Sequence, residues 1–341
     1  MIPGNRHLGK SKVPADSWDI PRSSAVNTLD IPHLTDTADI QRNRATHCSF
    51  RSFAGVPSCM ALRSQLLEQL KTTACDGTED MALTLLAQRH VGPDPTRLLE
   101  NQLSCGAWGA MPGVDLPNAF HTALALLALR RCQHAAVQGA ADRAFVFLSQ
   151  LRGRESHWLW QWKFRLFDRQ VRFDPLKSGW PWVPGTVSWV APTALAMLAF
   201  QAWRRPSARL SAGAGMLLDR ACPKGGWNAG NSIAFGVELD PHPDFTAMAL
   251  LALLHTQPSK PGIVGRALDY LGVRLRTCRS PYTLAWVVLA LSAYAHRSAD
   301  PLKHQLKLSL PSRLEILPAR TLGLSALALE EPVSAFQEAV L

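Results

Sequence analysis

Four segments made almost wholly of Ala and Leu recur along this chain: TALALLAL at 122–129, TALAMLAF at 193–200, TAMALLALL at 246–254 and TLAWVVLALSAY at 283–294. Their apolar residues repeat at three- and four-residue intervals, which predicts helices. Thr122, Thr193, Thr246 and Thr283 mark the repeat. The first three segments each follow a Gly/Trp turn, GAW at 106–108, GWPW at 179–182 and GGW at 225–227, and each turn follows a second helical stretch: DPTRLLENQLS (94–104), ADRAFVFLSQL (141–151) and RLSAGAGMLLDRA (209–221). The unit is therefore helix, Gly/Trp turn, loop, helix, with connections of variable length that make the period irregular.

Such pairs fall at 60–73 with 79–89, 94–104 with 118–133, 139–152 with 191–204, 208–222 with 244–256, 261–277 with 280–296, and 301–309 with 318–329. The second helix of each pair is apolar on nearly every face and belongs inside. The first carries Arg, Asp and Gln on one face and belongs outside. No strand alternates convincingly. Six hairpins closing on themselves predict an all-α protein, an α/α toroid whose inner helices, rich in small residues, pack closely around a central cavity.

Hydrophobic residues make up 47% of the 341, enough for a large core. Residues 1–57 instead are rich in Ser, Asp, Arg, Pro and Thr without apolar periodicity. They are expected to form a mobile N-terminal arm, with 58–341 as the toroid repeat domain. The net charge of +10 suits an acidic partner such as nucleic acid, anionic lipid or a phosphorylated substrate, without choosing among them. Arg, His, Pro or Gly interrupts every apolar run before the roughly 18 residues that would cross a bilayer. The opening MIPGNRHLGKSKVPADSWD has nothing like the apolar region of a secretory leader, so a cytoplasmic protein is expected. The seven cysteines are scattered without a CxxC pair, which predicts free, mostly buried thiols.

Leu98, Gln102, Gly106 and Trp108 spell out Leu, three residues, Gln, three residues, Gly-x-Trp. Leu217 and Gly225-x-Trp227 keep that spacing with Ala221 at the Gln position, and Tyr270-Leu271 keeps only the opening. On these residues the chain resembles, over about 60–330, the terpenoid cyclase and protein prenyltransferase toroids, in particular the squalene–hopene cyclase-like repeat proteins. The resemblance specifies fold far better than activity.

Members of that group that cyclise polyprenes carry Asp-x-Asp-Asp directly before Thr-Ala, the middle Asp protonating an alkene or epoxide. Here the register reads His242-Pro243-Asp244-Phe245 before Thr246-Ala247. The resemblance thus implies Asp244 as general acid and His242 as its orienting partner. The matching registers Asn118-Ala119-Phe120-His121 and Trp189-Val190-Ala191-Pro192 hold no carboxylate, which leaves Asp244 as the only candidate acid of that type. Such an acid must stay neutral and dry, which burial favours and the dipole of a first helical turn opposes. A plainer reading is that Asp240 or Asp244 caps the helix. In protein prenyltransferases this register supplies zinc ligands, with a His from a later repeat. Here His242-x-Asp244 is followed by Ser280-Pro281-Tyr282-Thr283, which has no His, and zinc needs three or four ligands. Neither metal nor cofactor is expected.

Residues 157–190, HWLWQWKFRLFDRQVRFDPLKSGWPWVPGTVSWV, hold six of the eleven tryptophans interleaved with Arg and Lys. Trp162, Trp180, Trp182 and Trp189, with Phe245, suit a polyprene chain and passing carbocations. Lys163, Arg165, Arg169 and Arg172 suit a diphosphate head group. The plainer reading has the tryptophans plug the core while the charges form a solvated face with Asp168 and Asp174. No nucleic-acid motif, P-loop, dinucleotide fingerprint or HExxH occurs, and nucleic acid is set aside. The chain reads as an isoprenoid-handling toroid whose partner is an isoprenoid or other apolar small molecule, with or without a diphosphate head, and for which peripheral membrane contact is an option. It is either a cyclase-like lyase or isomerase using Asp244, with a prenyltransferase less favoured, or a non-catalytic lipid- or protein-binding toroid that has lost the acid motif.

Overall fold

The computed structural model describes residues 57–88, 92–167, 173–256, 261–275 and 278–331. The helices pair as α1 (Cys59–Leu70) with α2 (Thr78–Ala87), α3 (Thr96–Glu100) with α4 (Ala119–Leu129), α5 (Val137–Gln150) with α7 (Val190–Ala202), α8 (Arg209–Arg220) with α9 (Pro243–Leu253), α10 (Pro261–Arg274) with α11 (Pro281–Ala293), and α12 (Ala299–Ser309) with α13 (Ala319–Ala328). These are the six expected hairpins. A further helix, α6 (Trp158–Leu166), lies in the third connection, where none was foreseen. All belong to the unit Ala54–Leu341. The arm expected to be mobile, 1–57, lies outside the described residues but for Pro57.

The second helices form a closed ring. In the order α2, α4, α7, α9, α11, α13 each packs on the next, and α13 returns to α2. The outer helices interlock with it: α3 covers α2, α5 covers α4, α8 covers α7, α10 covers α9, α12 covers α11, and α1 covers α13. Burial explains the division. In α7 every residue from Val190 to Phe200 is buried, whereas α1 buries only Leu62, Leu66 and Leu70, one stripe at four-residue spacing. Small residues set the closeness of the ring, since a Cβ on Gly323 of α13 would stand 2.7 Å from the carbonyl oxygen of Leu83 in α2.

Three turns repeat almost bond for bond. The main-chain N–H groups of Trp108, Trp180 and Trp227 donate to the hydroxyls of Thr122, Thr193 and Thr246, each at 2.9 Å. Their indole N–H groups donate to the carbonyls of Leu98, Leu148 and Leu217 at 2.7, 2.8 and 2.6 Å. Thr283 does not share this role. It is the third residue of α11, one place earlier than the other three threonines in their helices, and its N–H bonds to the Ser280 hydroxyl. Gln102 ties its turn to the next outer helix by donating to the Gly106 and Ala140 carbonyls, both at 2.8 Å. Where the second turn lacks that Gln, Arg209 donates to the Leu148 and Gly179 carbonyls, both at 2.6 Å, and lies 3.8 Å over the Trp180 ring.

The connection to α9 folds into a small antiparallel hairpin, β1 (Ile233–Ala234) and β2 (Val237–Glu238), although no strand was expected. Its reversal runs through Phe235 and Gly236, both at positive φ, the backbone of a tight two-residue turn. Of the described cysteines only Cys132 and Cys222 are buried, fewer than expected, and Cys105 is exposed.

Candidate active site at the N-terminal end of the ring

The inner helices begin at one end of the ring, where main-chain bonds stitch each start to the loop that leads into the next. The N–H of Thr78, first residue of α2, donates to the Ala110 carbonyl at 3.0 Å; that of Ala119, first in α4, donates to Trp182 at 2.9 Å; and that of Val190, first in α7, donates to Ala229 at 2.9 Å. Proline ends the series. Pro243 and Pro281 open α9 and α11, and proline has no N–H to give. The circuit resumes where the Arg320 N–H donates to an Asp80 carboxylate oxygen at 2.9 Å, joining α13 to α2.

This alignment gives every inner helix an equivalent second residue: Glu79, Phe120, Ala191, Asp244, Tyr282 and Arg320. Asp244 is therefore not the only carboxylate of its kind. Glu79 occupies the same position in α2, and the Tyr282 hydroxyl donates to its Oε1 at 2.7 Å across the start of α13. Burial holds the Glu79 carboxyl above the ordinary range and Asp80 adds to the shift, while the Tyr282 hydrogen bond and the Arg320 charge pull against it. Burial, then the Glu79 charge, raises the Tyr282 phenol well above its usual value, and the Asp244 carboxylate acts in the same direction. Glu79, Tyr282 and Asp244 thus share one electrostatic neighbourhood, with Arg320 at its edge.

Aromatic groups stand at the starts of the inner helices and on the loops before them. Phe120 packs against Trp182 with ring centroids 5.0 Å apart and edge-on to His121 at 5.4 Å. Burial lowers the His121 imidazole to about 4, so it is neutral at pH 7. Tyr282 meets Trp286 edge-on at 6.5 Å. Trp189 and Phe245 are half-buried, and the Trp189 ring lies so close to Gly230 that a Cβ there would approach it to 2.9 Å.

The expected residues divide accordingly. Asp244 is half-buried in the first turn of α9. Neither it nor Asp240 is the cap, because His242 occupies that position and its side chain caps nothing. His242 is exposed and packs edge-on against Phe245 at 5.6 Å, and Asp240 is exposed, 3.9 Å from Lys224. Trp180 has no exposed surface. It is a core residue between Leu148, Phe200 and Arg209 and presents no surface to a ligand. Trp162 and Lys163 lie on α6 facing solvent; Arg165 is in the same helix, and Arg169 and Arg172 lie outside the described residues. The sequence reading missed Glu79, Tyr282, His121 and Arg320. The available signal was the string Thr-Glu-Asp-Met-Ala-Leu at 78–83, an acidic helix start followed by an apolar run, hidden because no Gly/Trp turn precedes it. Among the described residues no group of three or more His, Cys, Asp or Glu is placed to hold a metal ion.

No protein-family model matches the chain, and no curated protein matches it in sequence. Among solved structures it is similar to the type II terpene cyclase MstE from Scytonema in its apo form, at 16% identity and a TM-score of 0.48, covering 77% of this chain and 81% of that one. The closed ring rests on the helix contacts described above.

Proposed function

We propose that the ring binds an isoprenoid or other apolar chain at the N-terminal end of its inner helices and carries out acid-initiated, cyclase-like chemistry there. The observation that carries this reading is the Glu79–Tyr282 hydrogen bond, which pairs a carboxyl raised by burial with a phenol that also feels the Asp244 charge. Glu79 is assigned as the proton donor, because burial favours its neutral form. In that step the Glu79 O–H bond breaks as a C–H bond forms on the alkene, leaving a carbocation. Asp244 then acts by its charge, and Phe120 and Trp182 by their ring faces. Loss of a proton from the carbocation back to Glu79 restores the acid. Asp244 as donor, with His242 orienting it, is the competing assignment within the same reading.

The test is incubation with geranyl, farnesyl and geranylgeranyl diphosphates and squalene, with products analysed by gas chromatography–mass spectrometry for wild type, Glu79→Gln and Asp244→Asn. Both amides keep shape and lack an acidic proton, so the donor's variant should form no product and the other should retain some. Full activity in both would end the mechanism. A non-catalytic toroid is the second reading, favoured by His242 and Phe245 standing where companion carboxylates would be. Binding of a prenyl diphosphate without conversion by wild type would establish it.

A further inference from the structure

Among the described helices α6 exposes a cluster of large apolar groups, where α1, α5, α10 and α12 each expose a single one, Met60, Val146, Val273 and Leu308. Trp158, Leu159, Trp162 and Leu166 lie within an arc of about 100° on its surface, and Trp158 and Trp162 are 62% and 64% exposed. Phe167, just past the helix end, is 80% exposed. The opposite face anchors the helix: Trp160 packs on Phe164 at 5.9 Å, Phe164 on Phe173 at 4.9 Å, and Arg220 of α8 lies 3.8 Å over the Phe173 ring. The outward stripe is thus held in place by a separate inward one. That is an unfavourable surface for a helix with nothing to cover it.

The charges beside the stripe indicate what covers it. Arg152, Arg154, His157 and Lys163 are all exposed next to it, and Arg154 and Lys163 sit over the Trp160 ring at 4.8 and 4.4 Å. Among the described carboxylates near it, Glu155 is buried and accepts the Ser188 N–H with both oxygens, at 3.1 and 3.2 Å, and Asp174 lies 3.7 Å from Lys177, so neither offsets these cations at the surface. Arg152, Arg154, Ser156, His157, Leu159 and Trp160 line a pocket of about 470 Å³ at the foot of the helix. Tryptophans on an apolar arc flanked by cations suit the boundary between headgroups and acyl chains. The stretch is also tied to the N-terminal end of the ring, because the Arg154 N–H donates to Thr186, three residues before α7 is capped by Trp189. The loops before α4 and α9 carry exposed Leu116 and Phe235 together with exposed Asp115, Glu238 and Asp240, and are not part of this face.

We propose that α6 docks the protein on a bilayer bearing anionic headgroups, with Trp158, Leu159, Trp162 and Leu166 entering the headgroup–acyl boundary and Arg152, Arg154 and Lys163 meeting the lipid phosphates. This stands whether or not the ring turns over a ligand.

The experiment is co-sedimentation of the full chain with phosphatidylcholine vesicles, with and without phosphatidylglycerol, at low and high salt. Wild type should bind the anionic vesicles and release in part as salt rises. Trp158→Ser/Trp162→Ser should lower partitioning at least about tenfold, and Arg154→Glu/Lys163→Glu should abolish the preference for anionic lipid. Circular dichroism confirms that each variant is folded, and Leu166→Gln, on the same arc, gives an independent reading if one is not. Brominated lipid should quench part of the tryptophan fluorescence of wild type and much less in the double Trp variant. No binding to anionic vesicles at low salt, or unchanged binding by the Trp variant, overturns the proposal. So does a wild-type dimer, seen by light scattering without vesicles, that the Trp variant loses, because the stripe would then cover a second copy of this chain.

Discussion

Trp108, Trp180 and Trp227 share the same two kinds of partner and have no exposed surface, so each should respond to truncation in the same way. Replacement of any one by Ala is expected to cost about 3–5 kcal/mol, read from denaturant midpoints; unchanged midpoints in all three would contradict the shared role. His121 gives a pH test. Its folded value of about 4 lies below the ordinary 6.5, so between those limits the unfolded chain takes up a proton that the folded one refuses. Stability should therefore fall as pH drops from about 6.5 towards 4, by at most about 3 kcal/mol, and His121→Phe should flatten that slope. The proposed donor, Glu79 with its partner Tyr282, gives a kinetic one. Because the Tyr282 hydroxyl pulls the Glu79 carboxyl down, Tyr282→Phe should move the loss of turnover with rising pH to higher pH; an unmoved limb would remove Glu79 from the donor role. Of these residues the tryptophans were legible in the sequence, since a Gly/Trp turn ahead of an apolar segment that opens with Thr is a local pattern. Glu79 and Tyr282 were not, because a bond between residues 203 apart in sequence depends on ring closure, which no local spacing encodes.

The elements divide into those whose pattern has one reading and those with two. Inner helices are apolar all round and outer ones carry a single stripe, so six hairpins could be counted from periodicity. α6 escaped because it is apolar on two faces and basic between them, which a one-stripe template does not recognise. It occupies extra chain: Leu and Trp of the repeated turn stand 10 residues apart in the first and third turns and 32 apart in the second. The helix starts differ in a testable way. Ala119→Pro would delete the bond to Trp182 while Asn118, already extended, tolerates a following proline. It should cost about 1–3 kcal/mol, whereas Pro243→Ala, at a helix start already lacking the bond, should cost under about 1 kcal/mol. Equal losses in urea melts of the two would mean that the stitching bonds do not set the stability of this end.

At the scale of the whole ring, closure joins the chain's first hairpin to its last. The Arg63 guanidinium of α1 meets Glu330 just beyond α13 at 3.1 Å, and the carboxylate is nearly fully buried. Arg63→Met would remove that ion pair and should cost about 1–3 kcal/mol, checked by thermal melting. The same closure sets Cys59 and Glu331 side by side, and in a closed circuit of interlocking hairpins the place where the peptide is interrupted has no structural privilege. A short linker from residue 331 back to 58, with new ends cut at the exposed Gly113, where even an added Cβ would touch nothing within 4 Å, should yield a circularly permuted protein with the same helices. The order in which a gene spells out these six hairpins is then one of several equivalent starting points on a loop.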